Sequence, residues 1–290
     1  YPTVLDYLQD DCYMGAIVGR FANRIGGATF SLEDHEYTLE KNDGANTNHG
    51  GYSGFHSKIW KGSYEGNKIV FRLSSAHLEG GYPGNVEVTV SYSFTSDGMV
   101  SIDFDGVSDR LTVLNLTNHA YFNLAGKGDI LQHRVTIPSS YILETNAEFI
   151  PSGGILPVEA TEFDFRYGKN IGKDIEKQTQ QLEWNRGYNH CYVFSLYDER
   201  KMKWTASVYE PKSRRKLDVF TTYPGVLFYS SGYLSSQIVG KQGYKYTPMC
   251  GFCLETQYFP DFPNHSEFPQ GVVFPEKPYH HTTLYKLSVV

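Results

Sequence analysis

The sequence predicts an all-β fold, a large antiparallel β-sandwich. Apolar and polar residues alternate along many short stretches, as they do in a strand with one buried face. Turn dipeptides separate these stretches: Pro83-Gly84, Asp97-Gly98, Gly153-Gly154 and Pro224-Gly225. Helical periodicity is scarce, so a mostly antiparallel β-sandwich is the consistent architecture.

Five stretches carry the strand period most clearly. In chain order they are KIVFRLS (68–74), VEVTVSYSF (86–94), MVSIDF (99–104), KWTASVYE (203–210) and TLYKLSV (283–289). Each places its larger apolar side chains at alternate positions, so each predicts a half-buried strand. The apolar faces in the first four are Ile69, Phe71 and Leu73; Val86, Val88, Val90, Tyr92 and Phe94; Val100, Ile102 and Phe104; and Trp204, Ala206 and Val208.

One stretch, 171–184, has helical spacing instead. Ile171, Ile175 and Leu182 fall roughly on one side of a helix, so a short helix is predicted there. A chain of 290 residues can form one large all-β domain or two ordinary ones. Because no linker or internal repeat divides the chain, we expect residues 1–290 to form a single domain.

Charge and composition argue against two classes of partner. The 32 acidic and 26 basic residues give a formal net charge of -6 without a basic stripe, so we expect no nucleic-acid partner. No apolar run is long enough to cross a bilayer, so we expect no membrane association. No signal peptide is visible, and this predicts a cytoplasmic location. The 23 tyrosines suit a sheet-rich protein and also suit stacking on sugars.

The four cysteines, Cys12, Cys191, Cys250 and Cys253, are too few for a disulfide framework. Cys250 and Cys253 form a C-x-x-C pattern within CGFCLETQYF, which has the character of a strand. Residues three apart on a strand point to opposite faces, so a redox dithiol or a zinc knuckle is disfavoured there.

Three polar segments combine ionisable residues with glycines, asparagines and aromatic residues. They are NTNHGGYSGF around His49, NLTNHAYFNLAG around His119 and GFCLETQYFPDF around Glu255. Any one of them alone is better explained as a structural histidine or a carboxylate facing water. Together they favour general acid–base chemistry, because the pKa of His and Glu can be tuned toward neutral pH.

Other site chemistries have less support. The glycines after His49 match neither a dinucleotide-binding pattern nor a P-loop, and the segment lacks a G-x-S-x-G elbow. A zinc site from His49, His119 and His190 is the competing use of these histidines. They lie about seventy residues apart, however, and protein zinc sites usually include a closely spaced ligand pair. His280 and His281 are adjacent, but successive strand residues face opposite ways. We therefore expect no metal and no cofactor.

Seven ordered segments carry a resemblance to a known family. They are GRFANRI (19–25), NHGG (48–51), GYPG (81–84), NLTNHAYFNLAG (115–126), TTYPGVLFYSSG (221–232), GFCLETQYFPD (251–261) and the tail HHTTLYKLSV (280–289). In these segments the chain resembles the galactose mutarotase (aldose 1-epimerase) family from its first dozen residues to its last. The resemblance implies a large β-sandwich of the galactose mutarotase-like supersandwich type, whose concave face binds the sugar.

The resemblance also implies an activity and the residues that perform it. The implied reaction interconverts the α and β anomers of a free hexose, galactose or glucose, by ring opening and reclosure. Glu255 matches the family's base, His119 its acid, and His49 the second histidine near the ring oxygen. Arg24 matches the arginine that contacts sugar hydroxyls. A small sugar is the expected partner, and a monomer or homodimer is the expected assembly.

Two positions depart from the family pattern at the expected sugar site. In GYNH, Asn189 stands where an aspartate usually binds a sugar hydroxyl, and an amide brings no charge to that bond. In YPGVLFYSSG, Leu227 stands where many relatives have a glutamine that reaches the sugar. Relatives also carry a further N-terminal stretch with early strands, so the sandwich is expected either to have fewer strands or to be completed by residues outside this sequence.

These departures keep two alternatives open. One is a sugar-binding or regulatory homologue with weak turnover. The other is an epimerase of a different or phosphorylated sugar, for which a phosphate would need fixed positive charge. Arg20 and Arg24 would lie on one side of an extended segment and are the nearest source of such charge.

Overall fold

Two antiparallel sheets packed face to face form the centre of the molecule. The computed structural model describes residues 1–194, 198–235 and 239–290. Its strands, in chain order, are β1 (Ile17–Val18), β2 (Arg24–Ile25), β3 (Thr29–Leu32), β4 (His35–Thr38), β5 (Thr47–Asn48), β6 (Lys61–Glu65), β7 (Lys68–Ser75), β8 (Val86–Phe94), β9 (Met99–Ser108), β10 (Thr112–Val113), β11 (Thr117–Asn118), β12 (Arg134–Thr136), β13 (Tyr141–Thr145), β14 (Pro151–Pro157), β15 (Lys169–Asn170), β16 (Asn189–Val193), β17 (Lys203–Tyr209), β18 (Arg215–Thr221), β19 (Gly225–Tyr229), β20 (Cys253–Gln257), β21 (Val272–Val273) and β22 (Tyr279–Val289).

The helices of the described residues are all short. The α-helix α1 spans Gln180–Asn185. The 3₁₀ helices span Val4–Gln9, Gly26–Ala28, Phe55–Ser57, Glu79–Gly81, Ile171–Lys173, Lys241–Gly243 and Phe262–Asn264. None of these helices is long and apolar enough to cross a bilayer.

The larger sheet has nine strands in the order β15-β12-β17-β18-β22-β9-β8-β7-β6, and the smaller has five in the order β14-β13-β16-β19-β20. Four two-stranded sheets accompany them: β1-β11, β2-β5, β3-β4 and β10-β21. All of these strand pairings are antiparallel. The predicted antiparallel β-sandwich is therefore confirmed.

The core lies between the facing sides of the two sheets. The nine-stranded sheet contributes Val88, Val90, Phe104, Leu217 and Val219, and the five-stranded sheet contributes Tyr192, Val226, Phe228 and Leu254, all buried. Burying each such side chain stabilises the fold by about 1.5–3 kcal/mol. Thr256 of β20 and Thr283 of β22 join the sheets through their hydroxyls, which lie 2.5 Å apart. Buried hydroxyls need such partners.

The predicted strand faces are largely confirmed, with exceptions at the ends. Val86, Val88 and Val90 are buried as predicted, but Phe94 is 68% exposed because β8 ends there at the turn before β9. Ile69 is 41% exposed, since β7 lies next to the edge strand β6. In β17 a register shift between Trp204 and Ala206 turns the Trp204 side chain outward. Residues 205–208, which alternate between the two faces of the strand, are all buried.

The predicted helix over 171–184 is wrong in extent. Only Gln180–Asn185 is α-helical, and Ile171–Lys173 forms a 3₁₀ turn. The N–H groups of Ile171 and Gly172 instead donate to the carbonyls of His133 and Leu131, so this backbone is committed to a neighbouring segment. Helical spacing in the sequence does not report such tertiary hydrogen bonds.

The strand predicted around the C-x-x-C pattern is also shorter than expected. It begins at Cys253, so Cys250 lies before it. Both thiols are free, as are those of Cys12 and Cys191.

Candidate active site

The outer face of the five-stranded sheet forms the floor of a cavity. The register of β16, β19 and β20 places six side chains on this face in two rows. The first row is Asn189, Tyr229 and Cys253, and the second is Cys191, Leu227 and Glu255. Leu227 is therefore the direct cross-strand neighbour of Glu255.

His119 reaches the floor from a neighbouring segment. It follows β11, and its N–H donates to the carbonyl of Ala16, which holds the segment against the chain just before β1. Its Nε2 lies 3.7 Å from Oε1 of Glu255, and both side chains are buried. Its Nδ1 lies 3.6 Å from Sγ of Cys253. The imidazole thus bridges the two floor residues of β20.

His49 is held by a strained loop. Its φ is 52°, in the left-handed region, and Gly50 follows with a φ of 85°. A Cβ on Gly50 would lie 2.1 Å from the carbonyl oxygen of Gly19, so only glycine fits there. The backbone N–H of Asn23 donates to Nδ1 of His49 at 3.2 Å. In the neutral ring the proton is therefore on Nε2, which makes Nε2 the donor.

Arg24 approaches from β2, which pairs with β5 in the His49 loop. Its Nε donates to Asp43 at 2.7 Å, and its guanidinium carbon lies 4.8 Å from the centre of the Phe149 ring. Within the described part of the chain, its terminal nitrogens make no hydrogen bond. They are the groups that remain to bind a polar ligand.

The six residues predicted for the site line one cavity. Its volume is about 380 Å³, within the size range of small-molecule sites. Its wall includes the predicted residues Arg24, His49, His119, Asn189, Leu227 and Glu255. The fold thus brings together the residues that the sequence prediction took from distant segments.

Comparison with known proteins decides the family. The family model described as Aldose 1-epimerase matches residues 1–286. The galactose mutarotase of Rattus norvegicus is 40% identical over 285 residues, covering 98% of this chain and 81% of that protein. The aldose 1-epimerase of Escherichia coli K12 is 33% identical over 270 residues, covering 92% of this chain and 77% of that protein.

The chain belongs to the aldose 1-epimerase family.

Solved structures of the aldose 1-epimerase fold agree with this assignment. A GalM/aldose epimerase homologue from C. elegans superimposes with a TM-score of 0.92 at 27% identity, covering 100% of this chain and 87% of that one. A galactose 1-epimerase from Lactobacillus acidophilus has the same fold, with a TM-score of 0.86 at 24% identity over 99% of this chain and 83% of that one. The galactose mutarotase-like supersandwich expected from the sequence is thereby confirmed.

Burial shapes the acid–base chemistry of this aldose 1-epimerase site. It raises the pKa of Glu255 to about 8, against the opposing charge of Arg24. It lowers the pKa of His119 to about 4 and holds the pKa of His49 well below its ordinary value. The sequence interpretation expected Glu255 ionised and His119 protonated. Burial instead favours a neutral Glu255 beside a neutral His119. This pair holds as many protons as the ionised pair, but the shared proton is on the carboxyl group.

The predicted alternative zinc trio is wrong in its third member. His190 lies on the core face of β16, where Nδ1 accepts from the N–H of Asn189 and Nε2 lies 3.2 Å from Gln181 Oε1. Ligand atoms of His49, His119 and Glu255 do lie within 4.8 Å of one another, so these three side chains could hold a metal ion. A metal there would occupy the atoms that acid–base chemistry requires.

Arg20 does not contribute charge to the site. It is buried, and it donates to the side chain and carbonyl of Ser75 and to the carbonyls of Ala76 and Pro83. Arg20 and Arg24 would lie on one side only if the segment between them were extended. Asn23 instead has a φ of 68°, so the two arginines diverge.

Sequence reasoning missed the aromatic wall of the cavity. Tyr13, Tyr121, Tyr229, Tyr233 and Phe149 line it. The Tyr121 ring stacks on His119 with centroids 5.1 Å apart. The signal for Tyr121 was its place two residues after His119 in a polar segment, whereas Tyr13 and Tyr233 lie in loops without a distinguishing pattern.

Proposed function

We propose that this protein interconverts the α and β anomers of a free hexose, galactose or glucose, with Glu255 and His119 as its proton-transfer pair. The observation that carries the proposal is the 3.7 Å approach of His119 Nε2 to Glu255 Oε1 in the wall of a sugar-sized cavity. Two proton-transfer groups so close can act on two oxygens bonded to one carbon. The anomeric carbon of a pyranose carries such a pair, its hydroxyl and the ring oxygen.

The proposed reaction conserves the proton count. Glu255, as carboxylate, takes the proton of the C1 hydroxyl while His119, as imidazolium, protonates the ring oxygen. The bond from C1 to the ring oxygen breaks and C1 becomes an aldehyde. Rotation about the C1–C2 bond presents the other face, and reclosure returns both protons. Positioned acid–base groups each contribute roughly 10²–10⁴-fold.

The working charge state follows from the single proton that the pair holds. In the buried site this proton favours Glu255, and its transfer to His119 creates the base and the acid together. Hydrogen bonds from a sugar hydroxyl stabilise the resulting carboxylate. The positive charge of Arg24 acts in the same direction.

The remaining wall residues suit a sugar. Arg24 offers its terminal nitrogens to hydroxyls, and His49 offers Nε2–H beside His119, whose ring centre is 5.4 Å away. The tyrosines present flat faces on which the C–H groups of a pyranose can stack. Ring opening by these groups requires no nucleotide and no redox cofactor.

Polarimetry of freshly dissolved α-D-galactose and α-D-glucose tests the proposal. The protein should accelerate mutarotation well above buffer, and EDTA should leave the rate unchanged. His280→Asn is the matched histidine control, because His280 is exposed and pairs with Asp105. A rate equal to buffer with measurable sugar binding would instead identify a binding protein. Loss of activity in EDTA would assign a metal to His49, His119 and Glu255.

A further inference from the structure

Leu227 is an apolar side chain in the middle of a polar site. It is buried, lines the cavity, and lies in register between Cys191 and Glu255. Directly opposed residues of neighbouring strands have Cβ atoms about 5 Å apart. Whatever part of a substrate lies next to the reacting end therefore touches Leu227.

The sheet order fixes the direction in which Leu227 lies. β20 is the edge of the five-stranded sheet, and β19 lies on its inner side. The segment 115–122 runs along the free edge of β20: the Asn115 side chain bonds the backbone of Tyr258, and Phe122 pairs with Phe252. His119 belongs to this segment. His119 and Leu227 therefore lie on opposite sides of Glu255.

This arrangement orients the sugar, provided that the proposed function holds. The C1 hydroxyl meets Glu255 and the ring oxygen meets His119. Besides its hydrogen, C1 has a third neighbour, C2, which lies on the side away from the ring oxygen. C2 and its substituent therefore point toward β19 and face Leu227.

Leu227 offers no hydrogen-bond partner to the atoms beside it, and its direct cross-strand neighbours are Cys191 and Glu255. A recess of about 10 Å³ adjoins Leu227, with an apolar part formed by Leu143, Phe149, Pro151, Cys191 and Pro260 and a polar part formed by Asn23, Arg24 and Asn189. That volume is at the lower limit for holding one water molecule. Thr145, also on this wall, already bonds Gln181. Asn189 lies in the other row and two strands from Glu255, whereas Leu227 is the direct cross-strand neighbour of Glu255.

We infer that this site does not require a hydroxyl at C2 and accepts 2-deoxyhexoses at least as well as hexoses, with Leu227 as the residue that sets this specificity. A C2 hydroxyl that loses water and gains no partner costs affinity. A C2 methylene loses nothing on meeting leucine. The inference rests on the proposed function and names the substrate class of the same site.

The test compares kcat/KM for D-glucose and 2-deoxy-D-glucose, each divided by the rate constant of the same sugar in buffer. The wild type should turn over the deoxy sugar with equal or greater efficiency. Leu227→Gln should move the ratio about threefold to tenfold toward glucose, because the amide can bond the hydroxyl. Leu227→Met, an apolar substitution of similar volume, should leave the ratio nearly unchanged.

The outcomes separate this inference from the function on which it rests. If the wild type accelerates glucose but loses tenfold or more on 2-deoxyglucose, the specificity inference is wrong and the epimerase stands. If Leu227→Gln folds and leaves the ratio unchanged, Leu227 is not the determinant. If Leu227→Gln does not fold, the two wild-type ratios decide. Acceleration of neither sugar would overturn the epimerase and this inference with it.

Discussion

Nε2 of His119 and Oε1 of Glu255 lie 3.7 Å apart, and both side chains are buried in the wall of the cavity. Burial moves their pKa values in opposite directions, to about 4 for His119 and about 8 for Glu255. Over the range between those values the pair holds one proton. This is the proton count that ring opening requires.

The pH profile of mutarotation should therefore be bell-shaped. Below pH about 4 both groups are protonated and the base is lost. Above pH about 8 both are deprotonated and the acid is lost. Initial rates from pH 3 to 10, after subtraction of the buffer-catalysed rate at each pH, should show a plateau between these limits. A rate that rises continuously through pH 8 would show that Glu255 acts alone.

Cys253 is predicted to position His119. Burial raises the pKa of its thiol well above the ordinary value, so the sulfur stays neutral and can accept a hydrogen bond from Nδ1–H of His119. The neutral imidazole then carries its proton on Nδ1, which leaves Nε2 free to take the proton from Glu255. Cys253→Ala should lower kcat about threefold to tenfold with little change in KM, and Cys253→Ser, whose hydroxyl oxygen can also accept, should restore part of it.

Cys191 offers the control for this substitution, because it lies on the same floor but in the other row. Cys191→Ala should change kcat less than Cys253→Ala does. Equal losses in Cys253→Ser and Cys253→Ala would mean that Cys253 provides packing and not a hydrogen bond to His119.

Asn189 should limit the affinity for hexoses. Its side chain lines the cavity, and within the described residues its amide makes no hydrogen bond. A carboxylate at this position accepts charge-assisted bonds, roughly twice as strong as neutral ones. Asn189→Asp should therefore lower KM for galactose or glucose severalfold, as measured by initial rates over a range of sugar concentrations. An unchanged KM for both sugars would show that Asn189 does not contact the substrate.

Glu255 should cost the protein stability at alkaline pH. Its pKa is raised from 4.5 to about 8 in the folded state, so the unfolded chain releases a proton that the folded chain retains. Stability contributed by Glu255 therefore falls as pH rises from about 4.5 to 8. The free energy of unfolding of Glu255→Gln should rise relative to that of the wild type across this window, by up to roughly 4 kcal/mol at pH 8. Urea unfolding at pH 4, 6 and 8 measures the difference, and a gap that stays constant with pH would contradict the shift.

Much of the fold could be predicted from the sequence because the period of a strand is local. Val86, Val88 and Val90 are buried together because alternation places them on one face. Phe94 was predicted wrongly, since alternation does not report where a strand leaves the sheet. The helix predicted over 171–184 failed for a similar reason: the hydrogen bonds of Ile171 and Gly172 to a distant segment are not visible in local spacing.

The site residues were predictable as motifs, and their mutual geometry was not. His49, His119 and Glu255 stand in polar segments that interrupt apolar patterns, so each could be singled out from the sequence. The opposition of Leu227 and Glu255 depends on the register of β19 and β20, which the intervening loop does not specify. Tyr13 and Tyr233 could not be distinguished among 23 tyrosines. The single-domain organisation, the monomeric or homodimeric state and the cytoplasmic location stay predictions.

The most direct test of the central claim is a double-mutant cycle in mutarotation of α-D-galactose, with Glu255→Gln, His119→Asn and the double variant. Because the two groups share one proton and one reaction step, each single substitution should lower kcat by about 10²–10⁴-fold. The double variant should then fall little further, since either loss already disables the pair. A single variant that keeps most of the wild-type rate would contradict the account, as would two losses that multiply in the double variant.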